Sequence, residues 1–193
     1  MRSFAVQNTV FLGIKHCGKS TQGMLLAKRL NWKFIDSDTV LTEVYMTRYK
    51  TGAGDATPRA VMKRHGEEFF RKFEAEVMRQ LIADKDSVPT VLALGGGVPD
   101  NPFLEISELK KLGTMVYLEV APEVAFKRIA AGGIPPFLAG DDPYGKFQEL
   151  YKKRSPRYEA LADLTVKVEP GTAAPELNEK IYQLLKSRNF LEI

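Results

Sequence analysis

The sequence predicts a three-layer α/β fold, a mostly parallel sheet with helices packed on both faces. Three observations lead there. Short apolar runs of strand length alternate with segments of helical periodicity along the whole chain. A glycine-bounded stretch, Gly13-Ile14-Lys15-His16-Cys17-Gly18-Lys19-Ser20, joins the first such run to the first such helix. Two further turn clusters, Asp36-Ser37-Asp38 and Gly95-Gly96-Gly97, each close a later strand. Ligands in such sheets bind beyond the carboxyl ends of the strands, so the three clusters should share one rim.

Each element has its own justification. Thr9 to Leu12 is an apolar run of strand length. Ser20 to Leu30 combines helix formers with apolar residues at helical spacing, and this helix should stop near Asn31. Lys33 to Asp36 reads as a short strand. Thr39 to Arg48 reads as a helix with Val40, Val44 and Leu41 facing inward. Tyr49 to Thr57 holds Thr51-Gly52-Ala53-Gly54-Asp55 and predicts a flexible loop. Pro58 suits the first position of another helix, which Gly66 breaks. Glu67 to Ala83 is a long helix, with Phe70, Phe73, Val77 and Leu81 in one apolar stripe. Val88 to Leu94 is β-rich. Pro102 to Leu112 is amphipathic, Thr114 to Glu119 is a further strand, and Pro122 to Ala131 is a helix. Gly132-Gly133-Ile134-Pro135-Pro136 must be a loop. Asp142 to Tyr158 is largely helical with a break expected at Pro156. Leu164 to Val168 and Ala174 to Ser187 supply the last strand and helix.

Bulk properties narrow the class. A chain of 193 residues, 44% hydrophobic and 27% charged, fits a single domain over residues 1–193. No apolar run approaches the roughly 20 residues of a membrane helix, and Met1 to Asn8 turns polar too soon for a secretory signal. One cysteine, Cys17, permits no internal disulfide, which points to a reducing cytoplasm. The net charge of +4 suits a protein that handles anionic small molecules. Its basic residues are spread out. The densest run, Lys152-Lys153-Arg154, reads as a solvated helix face, so neither nucleic acid nor a membrane is an expected partner, and a monomer is expected.

The first glycine-bounded stretch has the phosphate-binding pattern G-x-x-x-x-G-K-S in its required strand–loop–helix context. Glycines let backbone N–H groups turn inward around an anion, and the helix adds its positive end. Lys19 is placed to reach the outer phosphates of ATP, and the Ser20 hydroxyl to ligate Mg²⁺. Gly13, Ile14, Lys15, His16, Cys17, Gly18 and Thr21 complete the expected ATP-binding set. Transfer to a hydroxyl also needs a group that orients or deprotonates the acceptor. Of Asp36 and Asp38, one can hold a metal-bound water and the other take the proton. The competing reading is an Asp-Ser-Asp turn that caps the next helix. Arg71, taken alone, reads as an exposed helix residue paired with Glu67 or Glu74, a contact of about 0.2–0.5 kcal/mol. A GTPase is disfavoured, since there is no Asn-Lys-x-Asp signature.

An ordered set of motifs resembles the shikimate kinases, small P-loop kinases that pass the γ-phosphate of ATP to a hydroxyl of shikimate. The set comprises Gly18-Lys19-Ser20-Thr21, then Phe34-Ile35-Asp36-Ser37-Asp38. Gly66-Glu67-Glu68-Phe69-Phe70-Arg71 with Glu74 follows, then Leu94-Gly95-Gly96-Gly97. The last piece is Arg154-Ser155-Pro156-Arg157-Tyr158-Glu159 with Ala162-Asp163. The resemblance implies a P-loop kinase fold with a substrate-binding segment near 37–75 and a lid near 130–143. It implies that Lys19 and Ser20 serve ATP and Mg²⁺, and that Asp36 supports the metal through water. Asp38 would face the acceptor hydroxyl, and Arg71 and Arg154 would clamp the substrate carboxylate. Gly95, Gly96 and Gly97 would let substrate approach the backbone, and Arg128 would lie against the adenine.

Two departures stand out. The family lid carries Arg-Pro-Leu-Leu where this chain has Pro135-Pro136-Phe137-Leu138. A transition-state arginine contributes roughly 10³–10⁵ in rate in phosphoryl transfer, so its replacement bears on catalysis or on substrate identity. Arg128, Lys127 and Lys146 are candidate substitutes. The second departure is the extra loop around Tyr49 to Thr57. The alternatives to a shikimate kinase are a kinase for another small hydroxy acid or polyol, and a nucleotide-binding homologue without turnover.

Overall fold

The computed structural model describes residues 8–84 and 88–191. The reading of the N-terminus as too polar for a signal rests mostly on Met1 to Gln7, outside those residues. Five strands form one parallel sheet: β1 (Thr9–Leu12), β2 (Lys33–Asp36), β3 (Thr90–Ala93), β4 (Thr114–Glu119) and β5 (Leu164–Lys167), in the order β2-β3-β1-β4-β5. β1 and β3 are buried along their whole length, as central parallel strands covered on both faces must be. The edge strand β5 alternates buried and exposed residues.

Helices cover the sheet. They are α1 (Lys19–Leu30), α2 (Ser37–Tyr49), α3 (Ala53–Ala56), α4 (Pro58–His65), α5 (Glu67–Ala83), α6 (Ile106–Leu109), α7 (Pro122–Ala131), α8 (Pro143–Leu161) and α9 (Ala174–Ser187). Their ends follow capping chemistry. Asn31 turns left-handed and closes α1, and the Asp36 carboxylate accepts from the Asp38 N–H to start α2. Thr57 caps α4 ahead of Pro58. α9 packs on α1 through Asn178, whose side chain donates to both the backbone and side-chain oxygens of Gln22.

The structure corrects two expectations. The stretch from Tyr49 to Thr57 is not an open loop: α2 runs to Tyr49, and α3 forms one turn on the buried Ala56. α2 buries Leu41 and Tyr45, and Val40 and Val44, half-buried, pack against the same core as expected. α8 runs through Pro156 without ending. The proline lies on the exposed side, and Tyr158 and Leu161 anchor the last turn in the core. Between Pro102 and Leu112 the only α-helix is the single turn α6, held by a Glu105–Glu108 capping box.

Candidate functional site

The strand order decides the site. β3 lies between β2 and β1, so the loops after these three strands are neighbours at one rim. Asp36-Ser37-Asp38 leaves β2, Gly95-Gly96-Gly97 follows β3, and the phosphate loop leaves β1.

The loop is shaped for an anion. Gly13 has φ 141°, and a Cβ there would fall 2.8 Å from the Leu118 carbonyl and 2.9 Å from Cys17 Sγ, so a side chain fits neither the backbone nor the space. The small, buried Cys17 thus sits against glycine. Lys19 Nζ donates to the carbonyls of Gly13 and Ile14, at 3.0 and 3.1 Å. His16 has its pKa lowered by burial first and then by the charges of Lys15, Lys19 and Arg128. Three cations therefore converge on a loop at a helix N-terminus, a field that suits a polyphosphate. Arg128 reaches this loop from α7, donating to the His16 carbonyl at 3.3 Å.

Both readings of the Asp-Ser-Asp turn hold together. Asp36 accepts from the Asp38 N–H through Oδ1 at 3.0 Å, which is the cap. Through Oδ2 it accepts from the Ser20 hydroxyl at 2.7 Å, so a carboxylate and a hydroxyl meet beside the phosphate loop. Hard oxygen donors of this kind fit Mg²⁺, which takes one or two carboxylates and completes its shell with phosphate and water. Asp38 is an exposed residue whose carboxylate lies against Gly95. Its pKa is raised by desolvation first and by the Asp36 charge second, against the pull of Lys19 and Lys15.

The three glycines tie these parts together. A Cβ on Gly95 would lie 2.6 Å from Asp38 Oδ1, and one on Gly96 would lie 3.3 Å from both the Gly13 carbonyl and the Lys15 nitrogen. A Cβ on Gly97 would lie 2.6 Å from Arg71 Nη1 and 3.4 Å from Arg154 Nη2. One tripeptide thus touches the carboxylate, the phosphate loop and two guanidiniums in turn.

Arg71 is not the exposed helix residue that its local sequence suggests. It is 8% exposed, pairs with Glu74 at 3.0 Å and donates to the Gly97 carbonyl at 3.3 Å. Glu67 stands 3.7 Å away on the solvent side. The basic run on α8 also divides. Lys152 is exposed, Lys153 is exposed but reaches Asp100 at 3.0 Å, and the Arg154 side chain turns inward beside the same carboxylate at 3.7 Å, with its Nε buried and without a hydrogen bond.

The comparisons with known proteins agree with this geometry. The shikimate kinase family model matches residues 15–186. A shikimate kinase of Synechococcus sp. (strain RCC307) is 38% identical over 179 residues, covering 92% of this chain and 84% of that protein. The solved structure of shikimate kinase from Acinetobacter baumannii in complex with shikimate superposes with a TM-score of 0.79 at 31% identity, covering 96% of each chain. This chain belongs to the shikimate kinase family. As a shikimate kinase it is a phosphotransferase with an alcohol acceptor that uses ATP and Mg²⁺. None of the helices among the described residues is long and apolar enough to cross a membrane.

Several groups that shape this kinase's site carry no motif of their own. Ser37 is buried and accepts from the Gly95 N–H at 2.8 Å. Tyr158 donates to the Gly96 carbonyl at 2.6 Å. Asn101 holds the Arg71 carbonyl and Glu74 Oε2, at 2.8 and 2.9 Å. Glu74 is buried, and that burial raises its pKa against the opposing pull of Arg71 and Asn101. Ser37 and Tyr158 lie inside motifs already singled out. Nothing in the sequence marks Asn101.

The segment expected to be a lid holds a 3-10 turn at Pro136–Leu138. Leu138 is buried, and Ile134 and Phe137 are exposed. Pro135, in the place of the family arginine, is itself buried. Lys146 is tied back to the Ala139 carbonyl at 2.6 Å.

Proposed function

We propose that the rim of β2, β3 and β1 binds ATP and shikimate side by side and carries the γ-phosphate to a shikimate hydroxyl. The observation that supports this most is the Gly95-Gly96-Gly97 corner, which Asp38, the phosphate loop, Arg71 and Arg154 all approach. The loop N–H groups and Lys19 hold the ATP phosphates. Lys19 exchanges its bonds to the Gly13 and Ile14 carbonyls for phosphate oxygens. Ser20 would hold Mg²⁺, with Asp36 supporting it through water, and the ion when bound would neutralise phosphate charge and orient the transferring group. Arg71 and Arg154 grip the acceptor carboxylate, each charged hydrogen bond contributing about 1.5–3 kcal/mol. Asp38 accepts the hydroxyl proton as the acceptor oxygen bonds to phosphorus and the ADP oxygen leaves. Its raised pKa makes it a better base than an ordinary carboxylate.

The segments at about 37–75 and 130–143 serve as substrate-binding region and lid of one domain. Arg128, anchored on the loop carbonyl of His16, flanks the nucleotide on its base side. On this reading the protein acts on small molecules as a monomer. The lone cysteine supports a reducing, cytoplasmic setting.

The test is ADP release coupled to an optical readout, with shikimate as acceptor. Shikimate-dependent release with one phosphate transferred per ADP is expected. Release that quinate or another carboxylated polyol supports better than shikimate would reassign the acceptor. ATP binding with no acceptor-dependent release would point to the homologue without turnover.

A further inference from the structure

The family arginine is missing from the lid, and the cations around the loop are not equivalent replacements. Pro135, at its position, is buried and points no group into the cleft. Lys146 is spent on the Ala139 carbonyl. Arg128 is bonded to the His16 carbonyl, on the α7 side of the loop. Lys15 differs from all of these. It is an exposed residue inside the phosphate loop, four positions before Lys19, and among the described residues no hydrogen bond or ion pair holds it.

Its backbone position is fixed on the acceptor side. The Lys15 nitrogen lies 3.3 Å from the point where a Gly96 Cβ would stand, and Asp38 Oδ1 lies 2.6 Å from the corresponding point on Gly95. Lys15 and Asp38 therefore flank consecutive residues of the glycine corner. Lys15 is close enough for its charge to act on the Asp38 carboxylate. The Lys15 side chain is exposed and unheld, so its ammonium is free to enter the gap between Asp38 and the loop, where the transferring phosphoryl group must pass. We propose that Lys15 supplies the cation that stabilises the transferring phosphoryl group, the part played by the lid arginine elsewhere in the family. The proposal rests on reading this rim as the phosphoryl-transfer centre. It assigns Lys15 to the transition state rather than to ATP binding in general.

The consequence is a division between kcat and KM. Charge developing on the transferring group is stabilised only during transfer, so losing Lys15 should lower kcat by about 10²–10³-fold, as losing one oxyanion donor does. The KM values for ATP and shikimate should change less than threefold. Lys15→Met keeps the stem and removes the charge, and Lys15→Arg restores it. The experiment measures steady-state kinetics for both variants. Alongside it, calorimetry measures the binding of ADP alone and of ADP with aluminium fluoride and shikimate, a mimic of the transferring group. Lys15→Met should bind ADP normally and lose at least tenfold in affinity for the fluoride complex, and Lys15→Arg should recover most of both losses. Wild-type turnover of shikimate together with a Lys15→Met kcat within threefold of it would overturn the role of Lys15 and leave the site intact. Equal losses for ADP and for the fluoride complex would reduce Lys15 to a ground-state phosphate contact. No shikimate-dependent turnover in the wild type would remove the reading of the site itself.

Discussion

Adding one methyl group at Gly97 isolates the carboxylate clamp. The backbone there has φ −93° and ψ −14°, which alanine adopts without strain. The new Cβ would stand 2.6 Å from Arg71 Nη1, 3.2 Å from Arg71 Nη2 and 3.4 Å from Arg154 Nη2. Ordinary contact between such atoms is roughly 3.5 Å, so the Arg71 guanidinium must retreat by about 0.9 Å. It is held by Glu74 and the Gly97 carbonyl, and moving it spoils the geometry of a bidentate grip. Losing one charge-assisted hydrogen bond of about 1.5–3 kcal/mol corresponds to roughly 10- to 100-fold in the KM for shikimate. The KM for ATP should move less than twofold, because the substitution does not reach the loop. Gly95→Ala provides the contrast, since its Cβ meets Asp38 Oδ1 at 2.6 Å, so its main effect should fall on kcat. Steady-state kinetics with each substrate varied in turn separates the two. A Gly97→Ala enzyme whose shikimate KM stays within twofold, or whose two KM values rise together, would refute the assignment of Arg71 and Arg154 to the acceptor.

Other perturbations test the remaining parts. Asp38→Asn should abolish most turnover and yet raise the melting temperature at pH 7. The raised pKa means that the charged form is disfavoured in the fold, so the wild type loses stability as pH rises from the ordinary value of 3.8 through the folded pKa. The stability gap between variant and wild type should therefore shrink on acidification and vanish below about that value, and a variant less stable at pH 7 would contradict the desolvation argument. Glu74→Ala leaves the Arg71 guanidinium buried without its partner and should destabilise the fold by about 3–5 kcal/mol, read as a shifted urea midpoint. A loss under 1 kcal/mol would mean that the Gly97 carbonyl and Glu67 suffice for the guanidinium. Lys19→Ala should remove turnover and weaken ATP binding while leaving the circular dichroism spectrum unchanged, because Lys19 bonds only to loop carbonyls and weakly to Cys17; loss of the folded spectrum would make Lys19 a structural residue.

Much of the molecule was legible before any coordinates. The strands at Thr9, Lys33 and Thr114 and the helices at Glu67 and Ala174 fall where periodicity and turn residues put them. The misplaced elements share a cause. Pro156 fails to break α8 because Tyr158 and Leu161 bury the turn beyond it, and the stretch after Tyr49 coils because Ala56 finds a core to enter. Each is a local propensity overruled by burial against residues distant in sequence. The same holds in the site. Arg71 looks like a surface partner of Glu67 on its own helix, and becomes a buried group only because α5 packs its first turns against the loop after β3.

The sequence by itself determined the phosphate loop, the paired aspartates and the alternation of strands and helices, because loop chemistry and periodicity are local properties of the chain. The tertiary structure alone decided that β3 lies between β2 and β1, and with it that Gly95, Gly96 and Gly97 serve as the common wall of three separate groups. It also decided that Arg154 turns inward from a basic run, that Pro135 is buried, and that the Lys15 backbone lies beside the same glycine corner as Asp38. These are facts about distances between residues far apart in the chain. They are set by strand order and close packing, which no stretch of neighbouring residues encodes.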